Sequence, residues 1–245
     1  MNQSSALEFF IVQSHAFAET LAKHGGGRDL IEHLLSQAFS SFEGNVAIQA
    51  EGYPEVACHK GCASCCTLRV TATAPEILLI VRYIRWADAN DNTLNLAKRV
   101  IKANQATRGL NETQRLKLKR PCPFIVRGVC AIYPVRPLAC RGHACYDKRA
   151  CLAAAAGKLD NIPISEPHNL MRSLIQNAMQ SALRDAGCAW ASYELILSLH
   201  MALENAQCAE FWLAGQDVFA SARVAEVTLI EMANAFEHIK RQEVL

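Results

Sequence analysis

Apolar residues recur every three or four positions through most of the chain, a helical rhythm broken in only a few places. Residues 5–23 and 29–50 read as two amphipathic helices, separated by Gly25, Gly26 and Gly27. Gly52 and Pro54 then break the pattern. Thr73-Ala-Pro-Glu76 spells a capping box with proline in the first turn, which predicts a helix from there to about Ala87. Asp88 to Asn92 is a polar break, and the next helix runs from about Thr93 to Thr107 and stops at Gly109. Asn111 to Gln114 starts a short helix that ends before Pro121. Helices return at about 146–156, 166–186 (Ser165 as cap, Gly187 as stop), 190–205, 207–214 and 222–241. Leu68-Arg-Val70 is the one strand candidate. The pattern therefore predicts a mostly α fold, a single helical domain over residues 1–245.

Residues 121–145 lack this rhythm. Pro121, Pro123, Gly128, Pro134 and Pro137 punctuate a segment that needs an external staple to hold one conformation, and a metal could supply it. Composition adds little: 51% hydrophobic and 20% charged residues are ordinary for a globular protein. A net charge of +2 argues neither for nor against a polyanionic partner. No run of about 18 apolar residues predicts a membrane span. The N-terminus carries Glu8 and Glu19 and has no basic segment, so an export signal is not supported and the cytoplasm is the expected location.

The eleven cysteines change the picture. In a reducing compartment, clustered cysteines read as metal ligands, and an odd count fits a disulfide framework poorly. The first run is Cys58-His-Lys-Gly-Cys62-Ala-Ser-Cys65-Cys66. Spacings of two and three residues let successive thiolates turn inward, with Gly61 permitting the tight backbone. The second, looser run comprises Cys122, Cys130 and Cys140. The seven together predict a cysteine-cluster metal-binding region over residues 58–142. Cys58, Cys62 and Cys65 are expected to act together, with a fourth ligand from the second run. Cys66 is the weakest of the first four, because neighbouring side chains diverge in extended backbone.

Cys-x3-Cys-x2-Cys-Cys, then Cys-Pro-Phe, Gly-x-Cys-x-Ile-Tyr and Arg-Pro-x-x-Cys-Arg, resembles the YkgJ-type cysteine-cluster proteins. These are described as chelating zinc or iron, and flagellin lysine N-methylases carry a related domain. The resemblance covers about a third of the chain. It implies metal chelation by the seven cysteines, and with it either an iron–sulfur cluster or zinc. The same thiolates suit both, and spacing does not separate them. The role expected is structural, sensing or redox. The alternative is a metal-dependent modifying enzyme such as a protein lysine methylase, although no Gly-rich cofactor loop on a strand-to-helix turn is visible. Cys58-x3-Cys62-x2-Cys65 also matches the cluster spacing of radical S-adenosylmethionine enzymes, but those resemble one another in a βα-barrel, and strands are nearly absent here.

Other residues near the runs admit two uses. His59, His143 and Cys145 are each either a further ligand or a neighbouring group, while Cys151 reads as helix packing and Cys188 and Cys208 as core. Arg136 and Arg141 flank Cys140, where guanidinium groups can offset thiolate charge. Residues 108–149 hold ten Lys or Arg against Glu112 and Asp147. That excess reads first as charge balance around thiolates and a solvated helix, and second as a nucleic-acid surface.

Overall fold

The computed structural model describes residues 1–159, 161–226 and 228–242. With 61% helix and 5% strand, the protein is mostly α. The first two helices, α1 (Gln3–His24) and α2 (Leu30–Gln49), form an antiparallel pair joined by the glycine turn. Asn2 caps α1 by accepting from the Ser5 amide at 2.9 Å, satisfying an amide that has no partner within the helix. The strand β1 (Thr71–Thr73) leads directly into α3 (Ala74–Asn90), whose expected capping box is present. Then come α4 (Leu96–Thr107) and α5 (Glu112–Leu118). The hairpin of β2 (Ile125–Val126) and β3 (Val129–Cys130) follows, and then a one-turn 3-10 helix (Tyr133–Val135). Last come α6 (Leu138–Gly142), α7 (Lys148–Ala155), α8 (Glu166–Asp185), β4 (Ser192–Glu194), α9 (Leu195–Glu204), α10 (Cys208–Leu213) and α11 (Leu229–Arg241).

The chain folds as two packed sets of helices. Helix α8 lies against α1 and α2, while α3, α4 and α9 pack on one another, with α2 touching α3. Phe10, Phe17, Leu34, Leu35, Ile77, Ile80, Met179, Leu199 and Trp212 belong to one continuous cluster of buried side chains. At about 25 cal/mol per Å² of apolar surface removed from water, such burial is the main stabilising term.

Strands differ from the expectation. Leu68 to Val70 is not a strand; the chain becomes extended three residues later, where β1 pairs antiparallel with β4, Ala72 opposite Tyr193. Because β4 takes residues 192–194, α9 starts at Leu195 rather than near 190. The two junctions are built alike. Glu76 accepts from the Thr73 amide at 2.7 Å, and Glu194 accepts from Ile196 N at 3.2 Å and Leu197 N at 2.7 Å. Each carboxylate meets amides left free at a helix N-terminus. The expected helix over 222–241 begins only at Leu229, with Thr228 and Glu231 forming a capping box. That expectation also crosses Val227, which lies outside the described residues.

Candidate metal centre

The two cysteine runs, distant in sequence, meet. The Cys122 amide donates to the Cys66 carbonyl at 2.6 Å, and the Ala57 amide to the Cys145 carbonyl at 2.8 Å. The chain after the second run thus closes on the chain before the first. Within the first run, Cys62 N bonds to His59 O, Cys66 N to Ala63 O and Leu68 N to Cys65 O, so the segment is a succession of tight turns. Gly61 has φ +96° and supplies the backbone that such turns require. The second run is positioned element by element. Arg127 (φ 51°) and Gly128 (φ 80°) sit at the tip of the β2–β3 hairpin, a turn with both central residues left-handed, and it sets Cys130 opposite Ile125. Arg99 on α4 holds that hairpin by donating to the carbonyls of Pro123 and Ile125. Cys140 rides on α6, whose first amide, Leu138 N, donates to the buried Glu76 at 2.7 Å.

All seven cysteines of the two runs line one cavity of about 490 Å³. Each is partly exposed, whereas an inert core thiol such as Cys208 is buried. Charge interactions divide the seven into overlapping groups. Cys58 interacts with Cys62 and Cys65, while Cys65 also interacts with Cys66, Cys122 and Cys140. Cys65 is therefore the sulfur common to both. Burial pushes the Cys122 thiol up to about 11 and raises Cys58, Cys130 and Cys140 as well. Cys65 is raised first by its hydrogen bond with Cys66 and then by burial. Among the described residues, no three of these sulfurs lie within 4.8 Å of one another.

The two arginines flanking Cys140 have separate tasks. Arg136 lines the cavity, lies over the Tyr133 ring at 4.2 Å and draws Cys65, Cys130 and Cys140 down, opposing the effect of burial. Its Nε is buried without a hydrogen-bond partner. Arg141 also holds the loop. It donates to Glu43 at 2.6 Å, to the Arg136 carbonyl at 3.0 Å and to the Pro134 carbonyl at 2.7 Å, and it covers the Phe39 ring at 3.9 Å. It lines the cavity as well, so both arginines stand beside the thiols.

His59 and His143 also line the cavity. His59 is exposed, with Nδ1 3.0 Å from the Lys60 carbonyl. The Nε2 of His143 is buried without a partner, and burial and nearby Arg172 lower its pKa, favouring the neutral imidazole that can coordinate a metal. Cys145 is buried, its amide donating to Cys58 Sγ at 3.3 Å and its own Sγ lying 3.3 Å from the Asp147 carbonyl. Cys151 neighbours Cys145, and burial and that neighbour push its thiol up to about 12.

Sequence reasoning missed His168 and Arg172, which reach the cavity from α8. Their spacing of four puts them on one helix face, but that signal is common on solvated helices. The closer clue is Gly142: a Cβ there would meet Arg172 Cβ at 2.4 Å, so only glycine lets α6 approach α8 this closely.

A mostly helical scaffold holding a thiol-lined cavity defines the class to which this protein belongs. Residues 57–157, less than half of the chain, match the family model of CxxCxxCC domains, described as a "putative zinc- or iron-chelating domain". Neither a curated protein nor a solved structure matches the chain. No described helix is long and apolar enough to cross a membrane.

Proposed function

We propose that this protein holds an iron–sulfur centre in the thiol-lined cavity, ligated by cysteines from both runs among Cys58, Cys62, Cys65, Cys66, Cys122, Cys130 and Cys140, and serves a redox or sensing role. The observation that carries the reading is the convergence of all seven thiols on one cavity, more than a single four-coordinate ion uses. A single zinc ion with bonds of about 2.3 Å draws four sulfurs to within roughly 4 Å of one another. A cluster interposes inorganic sulfide and spaces its cysteines more widely, which suits the overlapping groups that meet at Cys65. The donor set fits iron: thiolates bind it readily, and Arg136 is placed to offset their charge. Partial exposure of Cys58 and Cys62 leaves the centre within reach of an oxidant or an electron-transfer partner.

The deciding experiment is iron, zinc and acid-labile sulfide analysis with an absorption spectrum, on protein purified anaerobically without a metal-affinity tag. Iron with matching sulfide and broad visible absorption is expected. Arg136→Gln should then shift the midpoint potential downward, because removing a cation disfavours the added electron. Colourless protein carrying one or two zinc ions would overturn the cluster and leave a structural zinc site. Protein that takes up neither metal would overturn the chelation itself.

A further inference from the structure

The turn between α1 and α2 carries a second constellation, remote in sequence from the cysteines. Asp29 Oδ2 lies 3.2 Å from His33 Nε2 and 3.5 Å from His24 Nδ1, and the three ligand atoms all fall within 4.8 Å of one another. The two imidazole rings stack, with centroids 3.7 Å apart and planes 24° from parallel. We propose that His24, Asp29 and His33 form an independent binding site for a divalent transition-metal ion.

The two carboxylate-to-nitrogen distances suit an ion. Bonds of about 2.0–2.2 Å to imidazole nitrogen and carboxylate oxygen put neighbouring donors roughly 3.0–3.5 Å apart, between octahedral and tetrahedral angles. The two measured edges fall in that interval. Two nitrogens and one oxygen select zinc, nickel or cobalt over magnesium or calcium, which favour all-oxygen sites. His33 and Asp29 are exposed, so an ion held here keeps open positions for water or another ligand.

The backbone is built around the carboxylate. Gly26 takes φ +79°, and the Gly27 amide donates to the His24 carbonyl at 3.0 Å, folding the chain back on the end of α1. A Cβ on Gly27 would stand 2.5 Å from Asp29 Oδ1. The turn therefore sets the Asp29 carboxylate close against the backbone at Gly27. His33 follows Asp29 by four residues, so the first turn of α2 carries both on one face. The bound ion would tie the last turn of α1 to the first turn of α2.

Isothermal titration with Ni(II) tests the site, using full-length protein as isolated, its cysteine centre loaded and no histidine tag present. Wild-type protein should take one equivalent that His33→Gln and His24→Gln each weaken by more than roughly 10-fold, given that loss of even an outer partner of a ligand costs 10–100-fold. His238→Gln, an exposed histidine on α11, should leave that equivalent unchanged. Unaltered melting of His33→Gln, whose side chain is about half exposed, guards against misfolding as the cause. Absence of the equivalent in wild type, or equal binding by wild type and His33→Gln, overturns the proposal. So does an equal loss in His238→Gln.

Discussion

The layer of α1, α2 and α8 and the two cysteine segments, residues 57–70 and 121–145, are held together in different ways. In the helical layer, Phe10, Phe17, Leu34, Leu35 and Met179 are each within about 1% of complete burial, and apolar packing specifies the arrangement. In the cysteine segments, regular structure is limited to the hairpin of β2 and β3, the one-turn 3-10 helix and the five residues of α6. Many of their fixed points are polar: Glu76 on Leu138 N, Arg141 on two loop carbonyls and on Glu43 of α2, Arg99 on the hairpin, and Cys122 N on Cys66 O, while Phe124, Ile132 and Leu138 join the apolar cluster. Those bonds leave the sulfurs clustered around open space, so the order of these segments is expected to depend on what fills the cavity. One chain therefore joins a self-sufficient scaffold to segments whose order is expected to be conditional.

Removing the metal is the strongest way to break the comparison. Strong chelation under reducing conditions should abolish amide-exchange protection across residues 57–70 and 121–145 while α1, α2, α3 and α8 keep theirs. Apparent folding energies of structural metal sites reach about 10–16 kcal/mol, so the loss should be large. Uniform loss or uniform retention of protection across both regions would show that the division is wrong. Next in size, Leu34→Ala in the scaffold should cost about 2–5 kcal/mol through lost burial and a residual cavity, with metal content unchanged.

The matched carboxylates sharpen the contrast. Glu76 is 1% exposed; burial raises its pKa, and donation from Thr73 and Leu138 offsets part of that rise. Both oxygens accept, Oε2 from Thr73 and Oε1 from Leu138, so an amide would set N–H against N–H at one of them. Glu76→Gln should therefore destabilise by about 1–3 kcal/mol and also lower metal occupancy, since Leu138 begins the helix that carries Cys140. Glu194→Gln disturbs a similar junction, where Arg115 donates at 2.9 Å, and should cost stability without changing metal occupancy. Equal metal loss in both variants would mean that Glu76 acts through general stability alone.

The two regions also differed in how much of them could be read from sequence. Helical period and the capping box located α3 because Thr73, Pro75 and Glu76 act within one turn. Strands β1 and β4 escaped because they are three residues long and pair across more than a hundred positions, a contact that no local pattern encodes. The cysteines of the cavity were legible because reactive thiols at close spacing are costly to keep without a use. His168 and Arg172 were not legible, since they reach the cavity only through the docking of α6 on α8 that Gly142 permits. The His24–Asp29–His33 cluster likewise forms only once the glycine turn reverses the chain.

The smallest expected effect belongs to a cysteine outside both cavity and core. Cys188 follows the end of α8, packs at the margin of the apolar cluster and is only partly buried. Gly187, at φ +72°, and the Cys188 amide bond to the Leu183 carbonyl set its backbone, and neither depends on the thiol. Replacing sulfur by a hydroxyl there removes little apolar contact, so Cys188→Ser should change stability by less than about 1 kcal/mol and leave metal loading intact. Cys62→Ser and Cys130→Ser, one from each run, should instead abolish loading, because a serine hydroxyl does not replace a soft thiolate at neutral pH. Metal analysis of the three proteins, purified side by side, ranks them directly. If Cys188→Ser lost its metal as completely as Cys62→Ser, the difference between scaffold and cysteine segments would disappear where it should be greatest.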